Sequence, residues 1–162
     1  MPKSSKQLNI GLTDKQRAGV VDILNATLSD EYVLYTKTRN YHWNVVGLQF
    51  NDMHKFFEGQ YQTLEDFVDD VAERARALGG IALGSLQAFL KHTRLKEQNG
   101  VPLAAPDMIA DLLADHESII RNLRRDVGAV GDKHGDEGTA DFLTGLMEEH
   151  EKMAWMLRAH LS

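Results

Sequence analysis

Apolar residues recur every third or fourth position through most of this chain, which is the signature of helices burying one stripe. Val20, Val21, Leu24, Leu28, Val33 and Leu34 mark the first of them. Thr13-Asp14-Lys15-Gln16 opens it with threonine and glutamine at capping-box spacing, and it is predicted to end near Val46-Gly47. A second helix is predicted from between Gly47 and Asn51 to the Gly79-Gly80 break, with Phe50, Phe57, Leu64, Val71 and Leu78 at every seventh position. The period then lapses until Pro106, apart from a short apolar run, Ile81 to Leu90, that is predicted as a minor helix. Pro106 suits the first turn of a third long helix carrying Ile109, Leu112, Leu113, Ile119, Ile120, Leu123 and Val127. Gly128 to Gly138 is predicted as a loop, and Thr139 onward as a fourth helix through Phe142, Leu143, Leu146, Met153 and Leu157.

Four long helices without strand signals or an internal repeat predict an all-α four-helix bundle. The short first connection makes helices one and two antiparallel neighbours. The second is long enough to run the length of the bundle, so the third helix starts parallel to the second. One long crossover holding a short helix is the ferritin-like arrangement. The 162 residues, 43% of them hydrophobic, suit a single domain over residues 13–162 behind a polar, flexible tail at residues 1–12.

Charge and composition narrow the partners. A net charge of −6 makes the body repel nucleic acid, and the only basic residues of the tail are Lys3 and Lys6, so DNA binding is expected to be weak. The absence of cysteine excludes disulfides and thiolate metal sites. No apolar run suits a signal peptide or a membrane span, and a cytoplasmic location is expected, with nucleoid association its variant.

The candidate chemistry lies in HKFFEGQYQTLEDFVDDVAE, residues 54–73, which carries His54 with Glu58 and Asp69 with Glu73, each pair four residues apart. Ferritin-like di-iron proteins use a Glu-x-x-His pair on each of two helices, but none of the seven histidines here has glutamate three residues before it. On a helical wheel at about 100° per residue, Glu58, Asp69 and Glu73 lie roughly 40°, 60° and 100° from His54, one polar strip beside the apolar face. His54 and Asp69 are fifteen residues apart, roughly 22 Å along one helix, too far for one ion. A second copy of the helix, antiparallel about a two-fold axis near residues 63 and 64, sets His54 and Glu58 of one chain opposite Asp69 and Glu73 of the other, giving two identical sites. His42, across the turn in YHWNVVG, is a fifth candidate ligand. This nitrogen and oxygen set suits Fe(II), with Mn(II) or Zn(II) as substitutes. Taken singly, acids four apart on a helix are ordinarily solvated, and Lys55, Arg74 and Arg76 are near enough to pair with them. His92, His116, His134, His150 and His160 have no acidic partner at a persuasive spacing.

At these positions the sequence resembles the Dps family, the DNA-binding proteins from starved cells or mini-ferritins, most closely over residues 40–80 and more loosely over residues 139–157. The resemblance implies a hollow dodecamer with ferroxidase centres at its two-fold interfaces and a ferric oxide core within. It implies iron as substrate, hydrogen peroxide as oxidant, and protection of DNA from oxidative damage. In that pattern His42, His54 and Glu58 come from one subunit and Asp69 and Glu73 from its partner, with glutamate at position 58 where the family often has aspartate. Trp43 becomes a candidate electron donor, Asp136 and Asp141 candidates for an acidic pore, and Glu148 and Glu149 candidates for mineral nucleation. The competing expectation is a non-enzymatic, nucleoid-associated DNA-binding cage.

Overall fold

The computed structural model describes residues 8–100 and 104–162. Among the described residues five α-helices are present: α1 (Asp14–Asn44), α2 (Phe50–Ala77), α3 (Leu86–His92), α4 (Ala105–Gly128) and α5 (Glu137–Ala159). α1 packs along α2 and α4 along α5, and the two hairpins close into a four-helix bundle around one apolar cluster. Val20, Leu24, Phe57, Leu64, Val71, Leu112, Ile119, Leu123, Leu143 and Leu157 are fully buried in it. The heptad residues of α2 behave as their spacing predicts, except that Phe50, at the helix start, is 46% exposed.

Helix ends follow local chemistry. Thr13 and Gln16 form the expected capping box, and Pro106 sits in the first turn of α4. Asp136, not Thr139, opens α5, because its carboxylate accepts the Thr139 N–H (3.0 Å) and the Thr139 hydroxyl (2.6 Å). The minor helix begins later than its apolar run. The Asn25 side chain bonds Ile81 O (2.9 Å) and Leu83 N (3.0 Å), keeping that stretch out of the helix, and Ser85 then caps α3. The Gly128–Gly138 loop is also shorter than expected. Gly128 keeps helical dihedrals, a π-helical turn spans Ala129–Lys133 with Val130 buried, and the helix breaks at Gly135, whose φ of 67° suits glycine.

α1 is unusual in burying polar as well as apolar residues, Asp30, Glu31, Lys37 and Thr38 among them. These positions bind distant segments. Asp30 accepts bonds from Thr93 Oγ1, Arg94 N and Arg94 Nε at 2.6–2.9 Å, and Arg94 also reaches Asp126, so the crossover is stitched to α1 and α4. Lys37 meets Asp115 (2.5 Å) and Asp111 (3.2 Å) of α4, and burial holds the Asp115 carboxyl above its usual range against the opposing pull of Lys37. Of the expected N-terminal tail, residues 1–7 lie outside the described residues, while Leu12 packs against the core. Among the described residues no helix is long and apolar enough to cross a membrane.

Candidate metal centre

The turn between α1 and α2 brings together two candidate ligands twelve residues apart in sequence. Gly47, at φ 122°, makes the turn in a conformation that other residues rarely adopt. His42 on the last turn of α1 and His54 in α2 then stack with ring centroids 3.7 Å apart. Their hydrogen bonds are reciprocal: His42 Nδ1 donates to His54 O (2.7 Å), and His54 Nδ1 to His42 O (2.8 Å). A carbonyl oxygen only accepts, so both Nδ1 atoms carry protons. In each neutral ring Nε2 is therefore the lone-pair nitrogen, and the tautomer of both is fixed by main chain. Both imidazoles are thus held in one orientation, each with Nε2 as its donor atom.

Aromatic residues brace the pair. Tyr61 meets the His42 ring edge-on at 5.1 Å and Phe50 tilts against His54 at 5.2 Å. The Arg39 guanidinium lies over Tyr61 (4.8 Å), Trp43 (5.3 Å) and Tyr35 (5.6 Å) and donates to the Tyr35 hydroxyl (2.6 Å), so Trp43 is engaged from one side while 63% exposed.

Glu58 is half-buried one turn along α2 from His54, whereas Asp69 and Glu73 are exposed further along the same helix. One chain thus brings His42 and His54 together and leaves Asp69 and Glu73 remote. Among the described residues no group of three or more His, Asp or Glu side chains is poised to hold an ion. The ion pairs available to these acids are not made either. Arg74 turns to Thr139 (2.9 Å) and Asp136 (3.4 Å), Arg76 to the Gly80 carbonyl, and none of Glu58, Asp69 or Glu73 has a basic partner among the described residues. Asp69 and Glu73 are exposed, and at the far end of the helix the apolar residues Val46, Leu48 and Phe50 of the turn are exposed as well. Of the acidic pore candidates, Asp136 is buried as the cap of α5 and Asp141 is exposed; Glu148 and Glu149 are exposed on α5.

One cluster had no sequence signal. His150 on α5, which has no acid at a helical spacing, bonds through Nε2 to Glu31 Oε1 of α1 (2.8 Å) and through Nδ1 to His116 Nδ1 of α4 (2.9 Å). All three side chains are fully buried. Burial, reinforced by His150, pushes the His116 pKa well below its ordinary value.

Comparison with known proteins supplies the relationship. The profile of the ferritin-like domain family matches residues 21–162. A low temperature-induced protein of Nostoc is 52% identical over 96% of this chain and 87% of its own. DNA protection during starvation protein 2 of Bacillus anthracis is 34% identical over 88% of this chain and 97% of its own. Among solved structures, DpsC from Streptomyces coelicolor superposes with a TM-score of 0.92 at 28% identity, covering 97% of this chain and 91% of that one. The Dps protein of Vibrio cholerae O1, described as a member of a broad superfamily of ferritin-like diiron-carboxylate proteins, gives 0.89 at 30% identity over 98% and 99% of the two chains.

Proposed function

This chain belongs to the Dps family of ferritin-like proteins, and from that premise we propose that it is an iron-storing ferroxidase whose oxidation sites are completed between two subunits. His42, His54 and Glu58 of one subunit and Asp69 and Glu73 of its two-fold partner hold Fe(II), and twelve copies enclose the ferric product. The observation that carries the reading is the reciprocally locked His42–His54 pair, whose Nε2 atoms carry the lone pairs, with no group of three such ligands among the described residues to complete a site. The carboxylates without a basic partner among the described residues, and the exposed apolar residues of the turn next to His54, support a partner subunit as the completing surface.

The residues have separable tasks. The imidazoles capture and orient Fe(II). The carboxylates favour the ion of higher charge, so the mixed set shifts bound iron toward Fe(III). Hydrogen peroxide accepts one electron from each of two ferrous ions and two protons, leaving two waters and two ferric ions. Iron and peroxide are consumed together, and hydroxyl radical formation is suppressed, which protects nearby DNA without requiring tight binding to it. The same donors suit zinc or manganese as competitors of iron.

The double variant Asp69→Ala, Glu73→Ala tests this. It removes exposed side chains and is expected to assemble, while peroxide-driven Fe(II) oxidation followed by stopped-flow absorbance slows at least ~100-fold, since even groups that merely support metal ligands are worth up to ~100-fold. A variant as fast as the parent protein, or a parent no faster than protein-free buffer, overturns the reading.

A further inference from the structure

We propose that Asn99, followed by Gly100, is a site of spontaneous covalent modification. In the folded protein it loses its side-chain amide and becomes aspartate and isoaspartate, the latter a substrate for carboxyl methyltransferases of the isoaspartyl-repair class. The inference does not depend on the iron site and involves no residue of either histidine pair.

The chain between α3 and α4 is anchored at one point and open beyond it. Thr93 and Arg94 bond to the buried Asp30, Arg94 reaches on to Asp126, and Leu95 is buried. Past that anchor Lys96, Glu97, Asn99 and Gly100 are exposed, Gln98 is half-buried, and residues 96–100 belong to no helix. Neither the Asn99 side chain nor the Gly100 N–H has a hydrogen-bond partner among the described residues. A Cβ at Gly100 would find no atom within 4 Å, so the position stands in open space.

These are the conditions that the reaction needs. The Gly100 nitrogen attacks Asn99 Cγ, the bond from Cγ to the side-chain nitrogen breaks, and ammonia leaves behind a five-membered succinimide. Water then opens either carbonyl. An asparagine and a water thus become an acid and ammonia, with no oxidant or reductant involved. A side chain on the following residue crowds the attack, whereas glycine offers none. A helix opposes it by fixing the dihedrals and engaging backbone N–H groups. The seven asparagines of the chain divide on that ground. Asn25, Asn40, Asn44, Asn51 and Asn122 lie within helices and precede residues with side chains. Asn25 is further held by Ile81 and Leu83. Asn9 lies outside a helix but precedes the β-branched Ile10. Asn99 alone combines exposure, freedom from a helix and a following glycine. Its conversion adds one negative charge to a chain of net charge −6, and the isoaspartyl form adds a methylene to the backbone between the Arg94 anchor and the start of α4.

The experiment ages the assembled full-length protein in neutral buffer. Tryptic mass spectrometry follows the peptide from Glu97 to Arg121, whose gain of a single mass unit reports deamidation. A purified isoaspartyl methyltransferase with a labelled methyl donor counts isoaspartate. Conversion at Asn99 is expected ahead of the other asparagines, faster at higher pH because the attacking nitrogen must give up its proton. Methyl acceptance should be lost in Asn99→Gln, whose longer side chain closes its ring far more slowly. An Asn99 that keeps its amide while guanidinium-unfolded chain converts, an earlier conversion elsewhere, or methyl acceptance unchanged by Asn99→Gln overturns the proposal. Should the variant fail to assemble, the peptide map of the parent protein decides alone.

Discussion

Two histidine pairs in this molecule use the same side chains to opposite ends. At the α1–α2 turn, His42 and His54 bond to each other's main chain through Nδ1, so neither consumes the other's Nε2; His42 is buried and His54 half-buried. In the bundle, His116 and His150 bond ring to ring, with Glu31 behind, and are sealed among apolar residues. The first pair is anchored by carbonyls, which fix orientation without altering charge. The second is anchored by an ionisable group in a low-dielectric core, where each member matters to folding as well as to any ligand. Preorganisation for chemistry and contribution to stability are therefore separated in space.

Exchanging alanine into each pair is the sharpest way to break that distinction. His150→Ala leaves Glu31 buried without its partner and should cost about 3 kcal/mol or more in urea unfolding. His54→Ala should cost only about 1 kcal/mol, the scale of a single hydrogen bond, while slowing iron oxidation as severely as loss of the partner's carboxylates. Equal stability losses would show the two pairs to be the same kind of structure.

A pH series on chelator-treated protein probes the buried pair. Above about pH 6.5 His116 is neutral in both folded and unfolded chains and contributes nothing. As pH falls below that, the unfolded chain binds a proton that the folded His116 refuses. Stability should decline by up to about 1.4 kcal/mol per pH unit until the lowered folded value is reached. Asp115, whose carboxyl is held above its usual range mainly by burial, acts in the opposite sense at lower pH, so the window to read is roughly pH 7 to 5. His116→Gln should flatten that slope, and an unchanged slope would assign it to other histidines.

Gly47→Ala sharpens the contrast from the open side. A Cβ there meets no atom, yet φ 122° strains any L side chain, and the expected cost is about 1–2 kcal/mol with a matching fall in iron oxidation as His42 and His54 lose register. Thr13→Ala, far from both pairs, removes one half of a capping box and should cost about 0.5–1 kcal/mol with no effect on oxidation. Urea midpoints and stopped-flow rates measured on the same preparations separate the two.

The legible part of this protein is the part whose causes are local. The α2 heptad, the capping box at Thr13, the Pro106 start of α4 and the closure of His42 onto His54 depend on residues within about a dozen positions of each other, and periodicity or turn length is enough to read them. The polar strip of α2 was likewise fixed once the helix was, since a helix imposes its own angular register. What escaped is long-range. Nothing near Asn25 announces that its amide shortens α3 by holding Ile81 and Leu83, and nothing near Gly128 says that the helix continues through a π turn to Gly135. The role of His150 is hidden most completely, because its acid lies 119 residues away. The amino-acid order thus determined the helices, their apolar faces and the pairing of His42 with His54 at the first turn. Which polar residues of α1, α4 and α5 meet in the dry interior was decided only when the helices packed, because burial without a partner is the cost that forces such groups together.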